Sequence, residues 1–127
     1  ITNTEEIRNR FAAEFGILAT KFVVFDLHLN QASDYPDARV CPPGVYVFFH
    51  PSNGVVKVGR HFLNSRKRAL EHVQDNTGGS MKALAGDPGV RLLLFNVNHA
   101  KDAHWVAALE DFFEQSLSPS IRSLRRC

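Results

Sequence analysis

Side chains that can bind phosphate or transfer protons are concentrated in one part of the chain. Residues 55–72 read VVKVGRHFLNSRKRALEH, and their candidate groups are Lys57, Arg60, His61, Arg68 and His72. Arginine binds phosphate through paired hydrogen bonds, and an imidazole transfers a proton near neutral pH. On a helix, residues four apart such as Arg68 and His72 are neighbours. The pattern predicts a compact cationic site, and a solvated basic face is the simpler alternative.

Two further groups extend this set. Tyr46 lies in the preceding run GVYVFFH and offers a phenol that can act as a base, or that only packs across the sheet. Glu110 falls at the edge of the apolar arc of the last predicted helix, where an uncompensated carboxylate costs free energy. That carboxylate either binds a divalent cation or pairs with an arginine. A phenol, arginines and a metal-binding carboxylate are the parts of a metal-assisted phosphodiesterase.

The overall composition limits the classes of protein to which this chain can belong. The 127 residues are 44% hydrophobic and 22% charged, which is typical of one globular domain. The net charge of +2 is too small to indicate nucleic-acid binding, so a prediction of such binding has to rest on where the charges lie. Cys41 and Cys127 form neither a metal motif nor a disulfide framework, and no apolar run is long enough to span a bilayer. We therefore expect a cytoplasmic protein without a membrane partner.

Periodicity and turn residues predict the elements that position these groups. The predicted order is a helix over 3–15, a strand over 21–29, a loop over 30–43, a β-hairpin over 44–60, a helix capped by Asn64 or Ser65, a short helix over 81–84, a strand over 90–97 and a last helix over 103–117. The continuous apolar run at 90–97 predicts a central strand that is buried on both faces. Alternation along the hairpin places Lys57 on the same face as Val55 and Gly59. Strands interleaved with helices indicate an α+β fold.

In order and spacing, these residues resemble the GIY-YIG endonuclease family. GVY at 44–46 is similar to the family's first tripeptide, and KVG at 57–59 stands where the second, YIG, is expected. Further along the chain, Arg68 with His72 matches the family's arginine followed by a histidine four residues later. Glu110 with Pro119 matches its glutamate followed by a proline nine residues later. The likeness covers residues 44–122 and depends on the whole series rather than on any one tripeptide.

The resemblance implies a small three-stranded antiparallel sheet flanked by helices. Residues 1–43 would add an N-terminal helix, an extra strand and a loop, and residues 44–127 would form the nuclease core, all within one compact domain. Glu110 would bind one Mg²⁺ or Mn²⁺ ion. Tyr46 would take the proton from the attacking water, with help from Lys57, which replaces the family's second tyrosine as in some of its restriction enzymes.

The remaining roles are also implied by the resemblance. Arg68 and Arg60 would hold the scissile phosphate. His72 would orient the water or relay the proton, and His61 is the second candidate for that task. Gly59 would let phosphate or water approach the backbone closely.

DNA is the partner that the resemblance implies. Its expected contacts are Arg60, Arg66, Lys67 and Arg122, the last standing where an asparagine is often found in the family. A catalytically inactive nucleic-acid-binding module of the same fold is the alternative function, and a protein-interaction domain is a third. A homodimer and a place in a larger assembly both stay open.

Overall fold

The structure is a computed structural model that describes residues 3–62, 64–74, 84 and 86–122, without the side chains of residues 65, 72 and 74. In that part of the chain the helices are α1 (Thr4–Phe15), α2 (Ser65–Gln74) and α3 (His104–Ser116), and the strands are β1 (Phe22–His28), β2 (Gly44–His50), β3 (Gly54–His61) and β4 (Arg91–Val97). Most of the short helix predicted over 81–84 lies outside the described residues. None of the described helices has the length and apolar character needed to cross a membrane.

The four strands form one antiparallel sheet in the order β1-β4-β2-β3. The predicted α+β class is confirmed, but the predicted three-stranded sheet is wrong in its strand count. The strand expected as an addition from the N-terminal extension, β1, pairs with β4 along its whole length, from Phe22 opposite Val97 to His28 opposite Arg91. Because β4 is buried on both faces, its backbone groups need a hydrogen-bonding strand on each edge, and β1 supplies the second.

Helices cover both faces of the sheet. On one face, called here the α3 face, α1 and α3 pack on the strands through a core that includes Ile7, Phe11, Phe95 and Phe113. On the other, the α2 face, the core includes Phe48, Ala69, Val73 and Leu92. The two helices expected to carry catalytic residues, α2 and α3, therefore lie on opposite sides of the sheet.

β3 is an edge strand, and a β-bulge changes the direction of its side chains. Val55 belongs to the core of the α3 face, whereas Val56 belongs to that of the α2 face. The register then pairs Lys57 with Phe48, which places Lys57 on the α2 face. The prediction that Lys57 shares a face with Val55 is wrong, because the extra residue of the bulge interrupts the alternation between them.

The segment after α3 lies beside the start of β3. The backbone N–H groups of Ser120 and Ile121 donate to the carbonyls of Val55 and Val56 at 3.1 and 2.8 Å. Near the other end of β3, the side chain of Arg60 keeps 33% of its surface exposed. The end of the edge strand is thus the part from which side chains reach solvent.

Candidate active site at the edge strand

Tyr46 is buried on the α2 face and lies across the edge strand. Its partner in the β2–β3 register is Gly59, and a Cβ atom added at Gly59 would overlap the Cζ, Oη and Cε2 atoms of Tyr46. The phenol oxygen is therefore held over the backbone of β3, where only glycine leaves room for it. Gly59 was expected to admit phosphate or water, and the structure gives it the tyrosine ring as its neighbour instead.

Arg68 of α2 donates a hydrogen bond to the phenol oxygen of Tyr46. Burial raises the pKa of Tyr46 above its ordinary value of 10.0, and the hydrogen bond and positive charge of Arg68 offset part of that rise. The tyrosine therefore holds its proton at neutral pH. Because Arg68 is itself exposed, its guanidinium can contact the phenol and a ligand from solvent together.

A cleft of about 360 Å³ opens beside this pair, lined by His61, Asn64, Lys67, Arg68 and Glu71. The side chain of Asn64 accepts a hydrogen bond from the backbone of Lys67 at 2.9 Å and so caps the first turn of α2. Two cationic side chains on the cleft wall, against one carboxylate, suit an anionic ligand.

The ring of His61 is held in one tautomer. Its Nδ1 accepts a hydrogen bond from the backbone N–H of Asn64 at 2.8 Å. The neutral ring consequently carries its proton on Nε2. In this tautomer His61 offers a hydrogen-bond donor through Nε2, rather than the proton acceptor that a water-activating base requires.

Glu110 lies on the α3 face, bonded to Arg60. The Arg60 Nη1 atom is 2.5 Å from the Oε1 atom of Glu110, and only 5% of the glutamate side chain is exposed. Arg60 is paired in register with Val45, a residue of the α3-face core, so the ion pair and Tyr46 lie on opposite faces of the sheet. The alternative interpretation of Glu110, as a carboxylate paired with an arginine, thus describes this structure.

Glu110 fits a metal ion as a single carboxylate ligand. Mg²⁺ keeps several water ligands and is often bound through one or two carboxylates together with phosphate oxygens. Within the described residues, no three His, Cys, Asp or Glu side chains form a metal cluster. An ion at Glu110 would therefore depend on water and substrate oxygens for its other ligands, and it would compete with Arg60 for the Oε1 atom.

Two further predicted catalytic residues belong to β3 and α2. Lys57 is buried with 8% exposure and lies two residues from Gly59 along β3. His72 lies on α2, four residues after Arg68, but its side chain is outside the described residues. The α2 face thus brings together Tyr46, Lys57 and Arg68.

The predicted nucleic-acid contacts differ in their surroundings. Lys67 is exposed on the cleft. The guanidinium of Arg66 instead donates to the carbonyl of Tyr35 at 3.0 Å and to the Cys41 sulfur at 3.4 Å, so it anchors the segment before β2. Arg122 donates to the carbonyl of Glu114 at 2.7 Å, which ties the C-terminal segment to the end of α3.

Phe62 was not among the candidates from the sequence. Its ring centroid lies 5.3 Å from the guanidinium carbon of Arg60, and 45% of the residue is exposed. The sequence did contain a signal, because a phenylalanine directly after a strand and between basic residues has no apolar periodicity to explain it.

Comparisons with known proteins identify no relative: no family model matches the chain, and no curated protein or solved structure matches it. The chemistry open to this site is therefore set by its own geometry. That geometry consists of a phenol and an arginine on one face of an edge strand, and a carboxylate–arginine pair on the other.

Proposed function

We propose that this protein is a metal-dependent endonuclease that hydrolyses phosphodiester bonds in DNA at the end of β3. The observation that carries the proposal is the phenol of Tyr46, which lies over Gly59 with Arg68 bonded to its oxygen. Packing across the sheet accounts for the ring over Gly59, and burial of the hydroxyl accounts for a hydrogen-bond partner, but packing does not require that this partner be an exposed arginine on the wall of a cationic cleft. Once deprotonated, a tyrosine held beside a guanidinium at the border of a cationic cleft is suited to receive a proton next to a phosphate.

Arg68 and Lys67 would bind the scissile phosphate in the cleft. Both are exposed there, and Arg68 is already positioned by its bond to Tyr46. Negative charge on the phosphate increases as water attacks, so a donor fixed in advance stabilises the transition state more than the ground state. Loss of one such donor typically lowers the rate by about 10²–10³-fold.

Tyr46 would first release its own proton to solvent and, as phenolate, receive a proton of the attacking water. The water oxygen would form a bond to phosphorus while the bond from phosphorus to the leaving oxygen breaks, and that oxygen would take a proton from solvent. Arg68 lowers the cost of the phenolate that a deprotonated Tyr46 would have to present. Glu110 would hold Mg²⁺ or Mn²⁺ on the α3 face, and the ion would supply positive charge to a phosphate that extends around the end of β3 from the cleft on the α2 face.

Arg60 would exchange partners when DNA binds. Without DNA it compensates the buried charge of Glu110, which would otherwise be costly. A phosphate beside the end of β3 offers Arg60 a second anion, and the carboxylate would then be available to a cation. The local charge stays balanced in both arrangements.

The same ion pair favours the second candidate function, a DNA-binding module of this fold without catalytic activity. If Arg60 keeps the Oε1 atom of Glu110 when DNA is bound, the metal loses its ligand while the cationic cleft still binds phosphate. A cytoplasmic location and a homodimer or larger assembly belong to either version of the proposal.

A cleavage assay separates the two candidates. Single-turnover cleavage of labelled DNA would be measured with Mg²⁺, with Mn²⁺ and with EDTA, for the wild type and for Tyr46→Phe, Arg68→Ala and Glu110→Gln. We expect metal-dependent cleavage that Tyr46→Phe and Arg68→Ala reduce by at least about 10²-fold and that Glu110→Gln abolishes. Tyr35→Phe is the matched control, and circular dichroism checks that each variant is folded.

Three outcomes are decisive. Cleavage by Glu110→Gln at the wild-type rate would contradict the metal role, and equal cleavage by Tyr46→Phe would contradict the role of the phenol. Salt-dependent DNA binding by the wild type without cleavage in either metal would support the binding module.

A further inference from the structure

Phe62 is exposed at the border of the polar site. The large hydrophobic residues exposed in the described part of the chain are Ile17, at 85%, and Phe62, at 45%. Single apolar side chains on a surface are ordinary, so exposure by itself decides nothing. The surroundings of the two residues differ, because Phe62 lies against a cation, the guanidinium of Arg60.

The ring of Phe62 has a fixed cation beside it. Arg60 lies two residues earlier, with its guanidinium carbon 5.3 Å from the ring centroid, and Glu110 fixes that guanidinium through its Oε1 atom. The residue nevertheless keeps 45% of its surface exposed to solvent. His61, directly before Phe62, lines the cationic cleft.

An exposed aromatic ring next to phosphate-binding groups is the arrangement with which proteins hold unpaired bases. A paired base inside a duplex is stacked on both sides by its neighbours and presents only its edges. An unpaired base can turn one face to a side chain. A phosphate bound by Arg60 would bring the adjoining nucleoside next to the ring of Phe62, given the 5.3 Å between them.

We infer that Phe62 stacks on an unpaired nucleobase adjoining the scissile phosphate, so that the preferred substrate is DNA with an unpaired nucleotide at the cleavage position. This inference rests on the proposed function and names its substrate class. A flap, a bulge or a single-stranded segment provides such a nucleotide, and an intact duplex does not.

A covering role for Phe62 makes a different prediction. If the ring only shielded the Arg60–Glu110 pair from water, any apolar side chain of similar size would serve. Leucine would then replace phenylalanine without effect on DNA binding. Base stacking instead requires an aromatic face, which tyrosine keeps and leucine lacks.

The test measures binding in EDTA, so that no cleavage occurs. The probes are two DNA hairpins with a fluorescent 2-aminopurine, unpaired in a bulge in one and paired in the stem in the other. We expect the wild type and Phe62→Tyr to quench the bulge probe. Phe62→Leu and Phe62→Ala should bind that probe about 5- to 150-fold more weakly, which corresponds to the usual strength of base–aromatic stacking. All four proteins should bind the stem probe alike.

The outcomes separate this inference from the proposed function. Phe62→Leu binding and quenching the bulge probe like the wild type would overturn the inference while DNA binding still stands. Failure of the wild type to bind either hairpin would overturn the proposed function and the inference together. The thermal unfolding temperature of Phe62→Leu shows whether weaker binding results from unfolding of the protein. Ile17→Ala, at the other exposed apolar residue, is the control for that measurement.

Discussion

The phenol of Tyr46 is buried away from bulk water, and the guanidinium of Arg68 lies beside it. Burial raises its pKa and the guanidinium opposes that change, so the proton is retained at neutral pH. The pKa of Tyr46 is higher in the folded state than its unfolded value of 10.0. The contribution of this group to the stability of the fold is therefore fully present below pH 10.0, and it is lost as the pH rises through the folded-state pKa. If the proposed cleavage requires deprotonation of Tyr46, the pH profile of the cleavage rate should therefore report it.

If Tyr46 must release its proton for cleavage, the rate should increase about tenfold per pH unit from about pH 7 to pH 9.5. Single-turnover rates at constant ionic strength would show this slope in the wild type. Tyr46→Phe should show a low rate without the slope. A wild-type profile that is flat over this range would contradict a role for the phenolate.

Gly59 should be indispensable because of Tyr46. In Gly59→Ala, the new methyl group would overlap the ring, so we expect displacement of the phenol, loss of cleavage and a free energy of unfolding lowered by about 1–3 kcal/mol. Gly86→Ala is the matched control, since a Cβ atom there meets nothing within 4 Å. Chemical denaturation and the cleavage assay together provide the measurement. Equal behaviour of the two variants would show that the ring does not need the space.

The helices α1 and α2 begin with the same kind of cap but hold different parts of the molecule. The side chain of Asn3 accepts the backbone N–H of Glu6 at 3.0 Å, and that of Asn64 accepts the backbone N–H of Lys67 at 2.9 Å. The first cap begins α1, which contributes to the α3-face core. The second begins α2, which carries the arginine bound to Tyr46.

These caps allow a paired experiment. Asn3→Ala and Asn64→Ala should each lower the free energy of unfolding by about 0.5–2 kcal/mol, because each leaves a backbone donor without its cap. Only Asn64→Ala should also reduce cleavage, since it loosens the turn that positions Arg68 and lines the cleft. Denaturant melts and cleavage rates of both variants check this. A similar loss of activity in Asn3→Ala would assign the effect to general stability.

The N-terminal third of the chain is part of the sheet and of its core. β1 pairs with β4 over seven residues, and Ile7 and Phe11 of α1 are buried in the core of the α3 face. Asp26 of β1 also accepts hydrogen bonds from Thr4 of α1 and Arg91 of β4, which joins the three elements.

A fragment of residues 44–127 should therefore not unfold cooperatively. Without β1 and α1, one edge of β4 and much of the α3-face core would be exposed to water. We expect a melting curve without a sharp transition and strong binding of a hydrophobic dye, both measured beside the full chain. A cooperative transition at the temperature of the full chain would instead show that the region predicted as the nuclease core folds alone.

Local patterns in the sequence predicted much of this architecture. The Asn3 cap, the helix over 3–15 and the buried central strand at 90–97 are confirmed, because capping and hydrophobic period depend on residues a few positions apart. The unusual polarity of Glu110 within an apolar arc also identified a buried carboxylate before its partner was known.

Patterns within single segments were thus enough to predict the α-helices, the strands and the polar residues that needed a partner. They did not predict that β1 completes a four-stranded sheet, that the bulge turns Lys57 to the α2 face, or that Tyr46 and Glu110 lie on opposite faces of the edge strand. Sheet order, register and bulges depend on the packing of residues far apart in the chain. A shift of one residue reverses every side chain of a strand, and no local period records it.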